Sequence, residues 1–285
     1  HKTAAYTDER TTILAENIRS LAQRSKKIMK PNSNDARLFA VDHPLQSFQW
    51  AILVNRFQVD YFILILPSLL LKPHMIWFII ATGIVAALYI FGIGRYLDAA
   101  NRTSIKNQLL MLCENIWFRL LMIFACALIA FKLLIIIRSY VELVHQFLFP
   151  SVDTKLFIIL MLAGSYYLAR SGLSAVVRFT IIAFVAILCI LIMNVHFYFP
   201  AYANYYHLLP LLPIDGDAYS IKSFFILWSL YGGPEYLIAL TIWAGKKRVT
   251  PYLLAGHAMT ILEYLFIFIA ALLFFGSTYL QTLQF

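Results

Sequence analysis

Long apolar runs separated by short polar connectors set the pattern of this chain. A polar stretch over residues 1–45 comes first, and seven apolar segments follow. They lie at about Phe48–Leu70, Met75–Gly94, Ile116–Phe149, Leu156–Leu168, Phe179–Phe199, Phe224–Ala244 and Tyr252–Tyr279. A helix crosses a bilayer in ~20 apolar residues, whereas barrel strands alternate over ~10. The pattern therefore predicts an all-α, polytopic helical membrane protein. The third segment is long enough that it must tilt or project beyond the hydrocarbon. The fourth is the shortest, and Arg170-Ser171-Gly172 parts it from the fifth.

The sixth segment breaks its own pattern. Its centre reads Trp228-Ser229-Leu230-Tyr231-Gly232-Gly233-Pro234-Glu235. Proline has no N–H and clashes with the carbonyl four residues back, here Leu230. Paired glycines add backbone freedom. The spacing predicts a discontinuous helix, which at membrane depth must face protein or a water-filled cavity.

Composition supports the membrane reading. The chain has 285 residues, 61% hydrophobic and only 13% charged, against roughly 25% charged in soluble domains. Mean hydropathy is +0.76. The net charge of +9 is explained by its placement. With the N-terminus inside, seventeen basic residues fall in inside segments: eight in the arm, four at the second-to-third loop, Arg170 and Arg178, and Lys246, Lys247 and Arg248. Only Lys72, Lys155 and Lys222 fall outside. That asymmetry predicts a cytoplasmic N-terminus and removes the need for a nucleic-acid partner.

The chain divides into a polar, basic cytoplasmic arm, residues 1–45, and a transmembrane domain, residues 46–285. In the arm, Leu14, Ile18, Leu21 and Ile28 are near helical spacing among Arg19, Arg24, Lys26, Lys27 and Lys30. A basic amphipathic helix on a lipid surface and a solvated extension are both open. The loop from Pro200 to Ser220 is too apolar to hang free; it lies along the membrane or caps the bundle. Cys126 and Cys189 sit in apolar runs and read as small buried hydrophobes. No metal-ligand spacing, phosphate loop or nucleophile elbow is present, so no cofactor and no covalent chemistry are expected.

Ionisable groups within spans are costly and mark candidate sites. The first segment holds Asn55, Arg56, Gln58 and Asp60. Arg56 and Asp60, four apart, either pair or line a polar, unwound stretch. In the third, Arg138 and Glu142 read as an ion pair. Lys132 is deeper, and either partners Asp60 or Glu235 or stands where a cation would bind. His257 and Glu263 lie in the seventh; His257 reads as packing, Glu263 as a coupling group or a partner for Lys132. Glu235 opens the half-helix after the break, where a carboxylate complements the dipole or meets a ligand ammonium. The free N–H groups near Gly233 and Glu235 suit a carboxylate. A site of both kinds fits a zwitterion such as an amino acid. The candidate ligand-binding residues are Asn55, Gln58, Asp60, Lys132, Tyr231, Gly232, Gly233 and Glu235. A broken sixth helix facing a polar first helix is the pattern of transporters with inverted repeats, in which helices one and six are the discontinuous pair.

Three stretches carry a family resemblance. They are Ile137-Arg138-Ser139-Tyr140-Val141-Glu142 with Phe149-Pro150; Tyr167-Leu168-Ala169-Arg170-Ser171-Gly172-Leu173 with Arg178; and Leu208-Leu209-Pro210 through Ser223-Phe224-Phe225 to Tyr231-Gly232-Gly233-Pro234-Glu235. The chain resembles the spore germination permeases, the B subunit of bacterial spore germinant receptors, within the amino acid–polyamine–organocation transporter superfamily. Ser174 stands where the family commonly has Glu, and the first segment lacks the family's glycines. The resemblance implies ten helices. Seven are present, and with His1 first and Phe285 closing an apolar run the sequence reads either as a piece truncated at its C-terminus or as a divergent or degenerate paralogue. It also implies a spore inner membrane location and partnership with an A subunit and a lipoprotein C subunit. The implied function is sensing of an amino acid or similar germinant; the alternative is a proton- or cation-coupled amino acid transporter.

Overall fold

The computed structural model describes residues 45–69, 72–100, 115–147, 149–212, 221–243 and 248–282. The N-terminal arm lies outside these. The described chain forms seven α-helices: α1 Ser47–Leu69, α2 Met75–Ala100, α3 Ile116–Phe147, α4 Thr154–Arg170, α5 Leu173–Asn194, α6 Ile221–Ser229 and α7 Thr250–Thr282. Tight 3₁₀ segments occupy Val195–Tyr198, Tyr205–Leu208 and Pro234–Trp243. No strand occurs among the described residues. Local signals explain the ends. Asp153 caps α4 by accepting the Lys155 N–H at 2.9 Å, satisfying a helix-start donor. Gly172, at φ 85°, then turns the chain from α4 into α5.

Four helices are long and apolar enough to cross a membrane: Met75–Ala99, Ile116–Glu142, Leu173–Tyr198 and Thr250–Ser277. The other three predicted spans differ for visible reasons. α1 has a polar centre, α4 has 17 residues, and α6 stops after nine at the break. The broad apolar faces of α3 and α5 are exposed in the chain itself, which suits contact with lipid tails rather than water.

The core gathers α1, α2, α6, the 3₁₀ half of the sixth segment and α7. One cluster joins Val59, Ile79, Leu227, Tyr231, Tyr264 and Phe268. A second joins Trp50, Leu53, Ile90, Leu97, Leu237 and Leu253. α7 packs chiefly on α1 and α2. Gly256 permits this, because a Cβ there would lie 2.2 Å from the Ala51 carbonyl oxygen. The α3–α4 hairpin stands apart, touching the body mainly through α1 and α5.

Several expectations are corrected. α1 runs unbroken from Ser47 to Leu69, where a discontinuity was implied. It has no glycine or early proline, and its polar side chains find partners on neighbouring helices, so nothing forces the backbone open. Two ion pairs are found among the described residues, and Arg138–Glu142 is not one. Both residues instead line a cleft of about 210 Å³ between α3 and α4, with Val141, His145, Thr154 and Ile158. An exposed i,i+4 pair gains only ~0.3–0.5 kcal/mol, too little to hold two long side chains together. Cys126 and Cys189 are exposed rather than buried, because they lie on the apolar outer faces of α3 and α5. The fifth-to-sixth loop is held against the bundle: Asn204 N–H donates to Leu273 O at 3.0 Å, Tyr198 Oη to Phe266 O at 2.7 Å, and Trp77 Nε1 to Leu211 O at 3.1 Å.

Candidate functional site

The break in the sixth segment lies where the pattern predicts it. α6 ends at Ser229, Leu230–Gly233 turn, and the chain resumes at Pro234 as a 3₁₀ helix. Gly233 adopts φ +108°, in the region that glycine occupies at low cost. A Cβ at this position would sit 2.6 Å from the Phe57 carbonyl oxygen. The break thus presses its backbone directly onto the middle of α1.

The carbonyl groups that the break strips of backbone donors are recovered by side chains. Pro234 has no N–H for Leu230 O. Tyr264 Oη lies 2.9 Å from that oxygen and 2.5 Å from Gln58 O, so its single proton serves one carbonyl at a time. Gln58 Nε2 donates to Tyr231 O at 3.0 Å. Tyr231 Oη donates to Ile79 O of α2 at 2.8 Å. Gln58, Tyr231 and Tyr264 are all buried. In this setting an unpaired carbonyl has no water to turn to, which accounts for the polar groups converging here.

Two charged pairs flank the break. Arg56 Nη2 donates to the Glu263 carboxylate at 2.8 and 2.6 Å, and Arg56 Nε donates to Asn55 Oδ1 at 2.8 Å. Asn55 Nδ2 donates to Thr260 Oγ1 and to Glu263 Oε2, each at 3.1 Å. The guanidinium also stands over the Phe184 ring at 5.2 Å. Side-chain exposure of this pair is only 6% and 11%. The second pair is Lys132–Glu235, joining α3 to the break and exposed at 37% and 27%. Glu235 Oε2 also accepts the Gly233 N–H at 2.8 Å. Lys132 lies over the Tyr236 ring at 5.5 Å.

Six of the eight predicted residues therefore form or contact one break. Gln58 meets it from α1, Tyr231, Gly232, Gly233 and Glu235 form it, and Lys132 reaches it from α3, whereas Asn55 on α1 bonds to Thr260 and Glu263 of α7. Asp60 lies on α1, with its side chain outside the described residues. Of the open roles for Lys132, the structure has it paired with Glu235. Glu263 takes Arg56 as its partner rather than Lys132. The capping role of Glu235 is realised at Gly233. Thr260, Tyr264 and the backbone of Phe57 were not anticipated. The signal for the first was present: His257, Thr260, Glu263 and Tyr264 recur at three- and four-residue spacing, one polar stripe on α7.

A family model described as spore germination protein matches residues 44–285. The chain belongs to the spore germination permease family. No curated protein and no solved structure matches it. Membership and the four apolar helices make it a membrane protein of a germination-related permease type.

Proposed function

We propose that this protein is the nutrient-sensing membrane subunit of a spore germinant receptor, with its germinant bound at the break. The single observation that carries the reading is the Lys132–Glu235 pair, half-exposed beside the Gly233 N–H. An amino acid matches this group charge for charge. Its ammonium replaces Lys132 at Glu235, and its carboxylate takes Lys132 and the released Gly233 N–H. Asn55, Gln58, Asp60, Tyr231 and Gly232 supply the remaining polar wall. Inserting a zwitterion opens the bridge between the break and α3, so binding biases the bundle between two arrangements. In the family context the A and C receptor subunits read that shift in the spore inner membrane, with the N-terminus cytoplasmic.

The test is equilibrium binding of labelled amino acids to the full-length protein in lipid bilayers. Saturable binding, lost in Lys132→Met and in Glu235→Gln, is the expected result. A panel of amino acids that gives no binding to the wild type, or equal binding to both variants, overturns the site. Uptake of the bound amino acid into proteoliposomes would favour the coupled transporter; binding without uptake favours the sensor.

A further inference from the structure

His257 is 2% exposed and stands between two acceptor oxygens. Its Nε2 lies 2.8 Å from Gly83 O on α2, and its Nδ1 lies 3.0 Å from Gln58 Oε1 on α1. A backbone carbonyl only accepts. Gln58 has its amide nitrogen committed to Tyr231 O, so it presents its oxygen to the ring. A neutral imidazole has one N–H and one lone pair. It satisfies Gly83 but then sets a lone pair against Gln58 Oε1. Rotating the Gln58 amide to repair that contact places its oxygen against Tyr231 O instead. Only the imidazolium, with two N–H donors, completes the run from Gly83 through His257 and Gln58 to the break.

We propose that His257 is a proton-binding site whose occupancy ties the break at Tyr231 to α1, α2 and α7. The proton adds one donor and closes the run; its loss frees either the His257–Gln58 or the Gln58–Tyr231 hydrogen bond. The surroundings make this reversible. The break contributes the Tyr231 ring, edge-on at 5.2 Å, and Glu235, which is bound to Lys132 and Gly233. α1 contributes Arg56, and α7 contributes Glu263 and Tyr264; Arg56 and Glu263 neutralise each other. Asp60 lies two residues beyond Gln58, its side chain outside the described residues. On α2, Tyr89 faces Glu235, and Asp98 is engaged at Thr250 and the Val249 N–H, nearly two helical turns below His257. No described carboxylate touches the imidazole, so the charge is held by two hydrogen bonds alone. A buried charge held this way is expensive, and it leaves when the run opens. This inference goes beyond the ligand reading and stands whether or not the break takes an amino acid.

Two measurements on the full-length protein in lipid bilayers test it. The first is ¹⁵N NMR of the histidines between about pH 5 and 8, the range in which imidazole titrates, with His257 assigned through its contact to the Tyr231 ring. The second is amide exchange of residues 230–236 over the same range, corrected for intrinsic rates. The expected result is a doubly protonated His257 at the acid end. Protection of the break falls on the order of fivefold on deprotonation, what one hydrogen bond is worth, with one shared midpoint. In His257→Gln, which keeps one donor and one acceptor, the pH dependence of protection disappears. A neutral His257 across the whole range, or a pH dependence that survives in His257→Gln, overturns the proposal. Should the variant not fold, the wild type still decides, because separate midpoints for the two measurements refute it.

Discussion

At the scale of single residues, Gly233 and Tyr264 carry the break. Alanine at Gly233 meets both an unfavourable φ of +108° and the Phe57 carbonyl oxygen at 2.6 Å. The strain alone is worth about 1–3 kcal/mol. Gly233→Ala is therefore expected to lower the stability of the folded chain by at least that amount in denaturant titrations in bilayer mimetics. Tyr264→Phe keeps the ring packed against Tyr231 and removes only the hydroxyl that serves Leu230 O and Gln58 O. Membrane-embedded hydrogen bonds average ~0.6 kcal/mol, with a maximum of ~1.7, so the same titration is expected to show a smaller loss. His74, in the turn before α2, sets a pH dependence. It is buried, and burial first and Lys72 second hold its pKa below the usual 6.5. The unfolded chain then binds this proton more readily than the folded one. Its contribution to stability is complete above about pH 6.5 and is lost as pH falls through the folded pKa. His74→Gln is expected to flatten that part of the stability profile.

At the scale of elements, α1 and α7 are joined by a buried pair that is best tested as a unit. Removing one member of such a pair leaves an uncompensated charge and costs about 3–5 kcal/mol, whereas replacing both with apolar residues is often near neutral. Glu263→Leu alone is expected to destabilise the chain strongly, and adding Arg56→Leu to recover most of the loss. Equal, additive losses in the double-mutant cycle would show that the pair is not coupled. The same helices mark how far the sequence could be read. Element type was legible almost throughout, because an apolar run long enough to span admits little besides a helix. The break was legible because Gly232, Gly233 and Pro234 act on their own backbone. The continuity of α1 was not, since it depends on Thr260, Glu263 and Tyr264, some two hundred residues away, supplying partners for Asn55, Arg56 and Gln58. Gly276 shows the same limit. α7 turns there at φ 73° around the His207 imidazole, 3.0 Å from where a Cβ would be, and a lone glycine in an apolar run gave no warning of it. Pair choice among Lys132, Glu235, Arg56, Asp60 and Glu263 was likewise undetermined, because a one-dimensional pattern does not say which faces meet.

At the scale of the whole molecule, the chain has a packed body and an outlying hairpin. α1, α2, the sixth segment and α7 share the two apolar clusters, while α3 over Ile116–Glu142 buries only Val141 within the chain. Lys132–Glu235 ties that hairpin to the break and is more exposed than the Arg56–Glu263 pair inside the body. Motion is expected where packing is thinnest, so α3 and α4 move against a body that keeps its shape. Lys132→Met removes the charge and retains an apolar stem of similar length, releasing the hairpin without disturbing either cluster. Distances from spin labels on the exposed Cys126 of α3 and a cysteine introduced at the exposed Leu262 of α7 read that motion directly. Cys189 and Cys113 are first replaced by serine to leave one native label site. The expected outcome is a broader distance distribution in Lys132→Met than in the parent, with little change in global stability. An unchanged distribution would mean that α3 is held by its remaining contacts with α1, and that the ion pair at the break is not the hinge between the two parts.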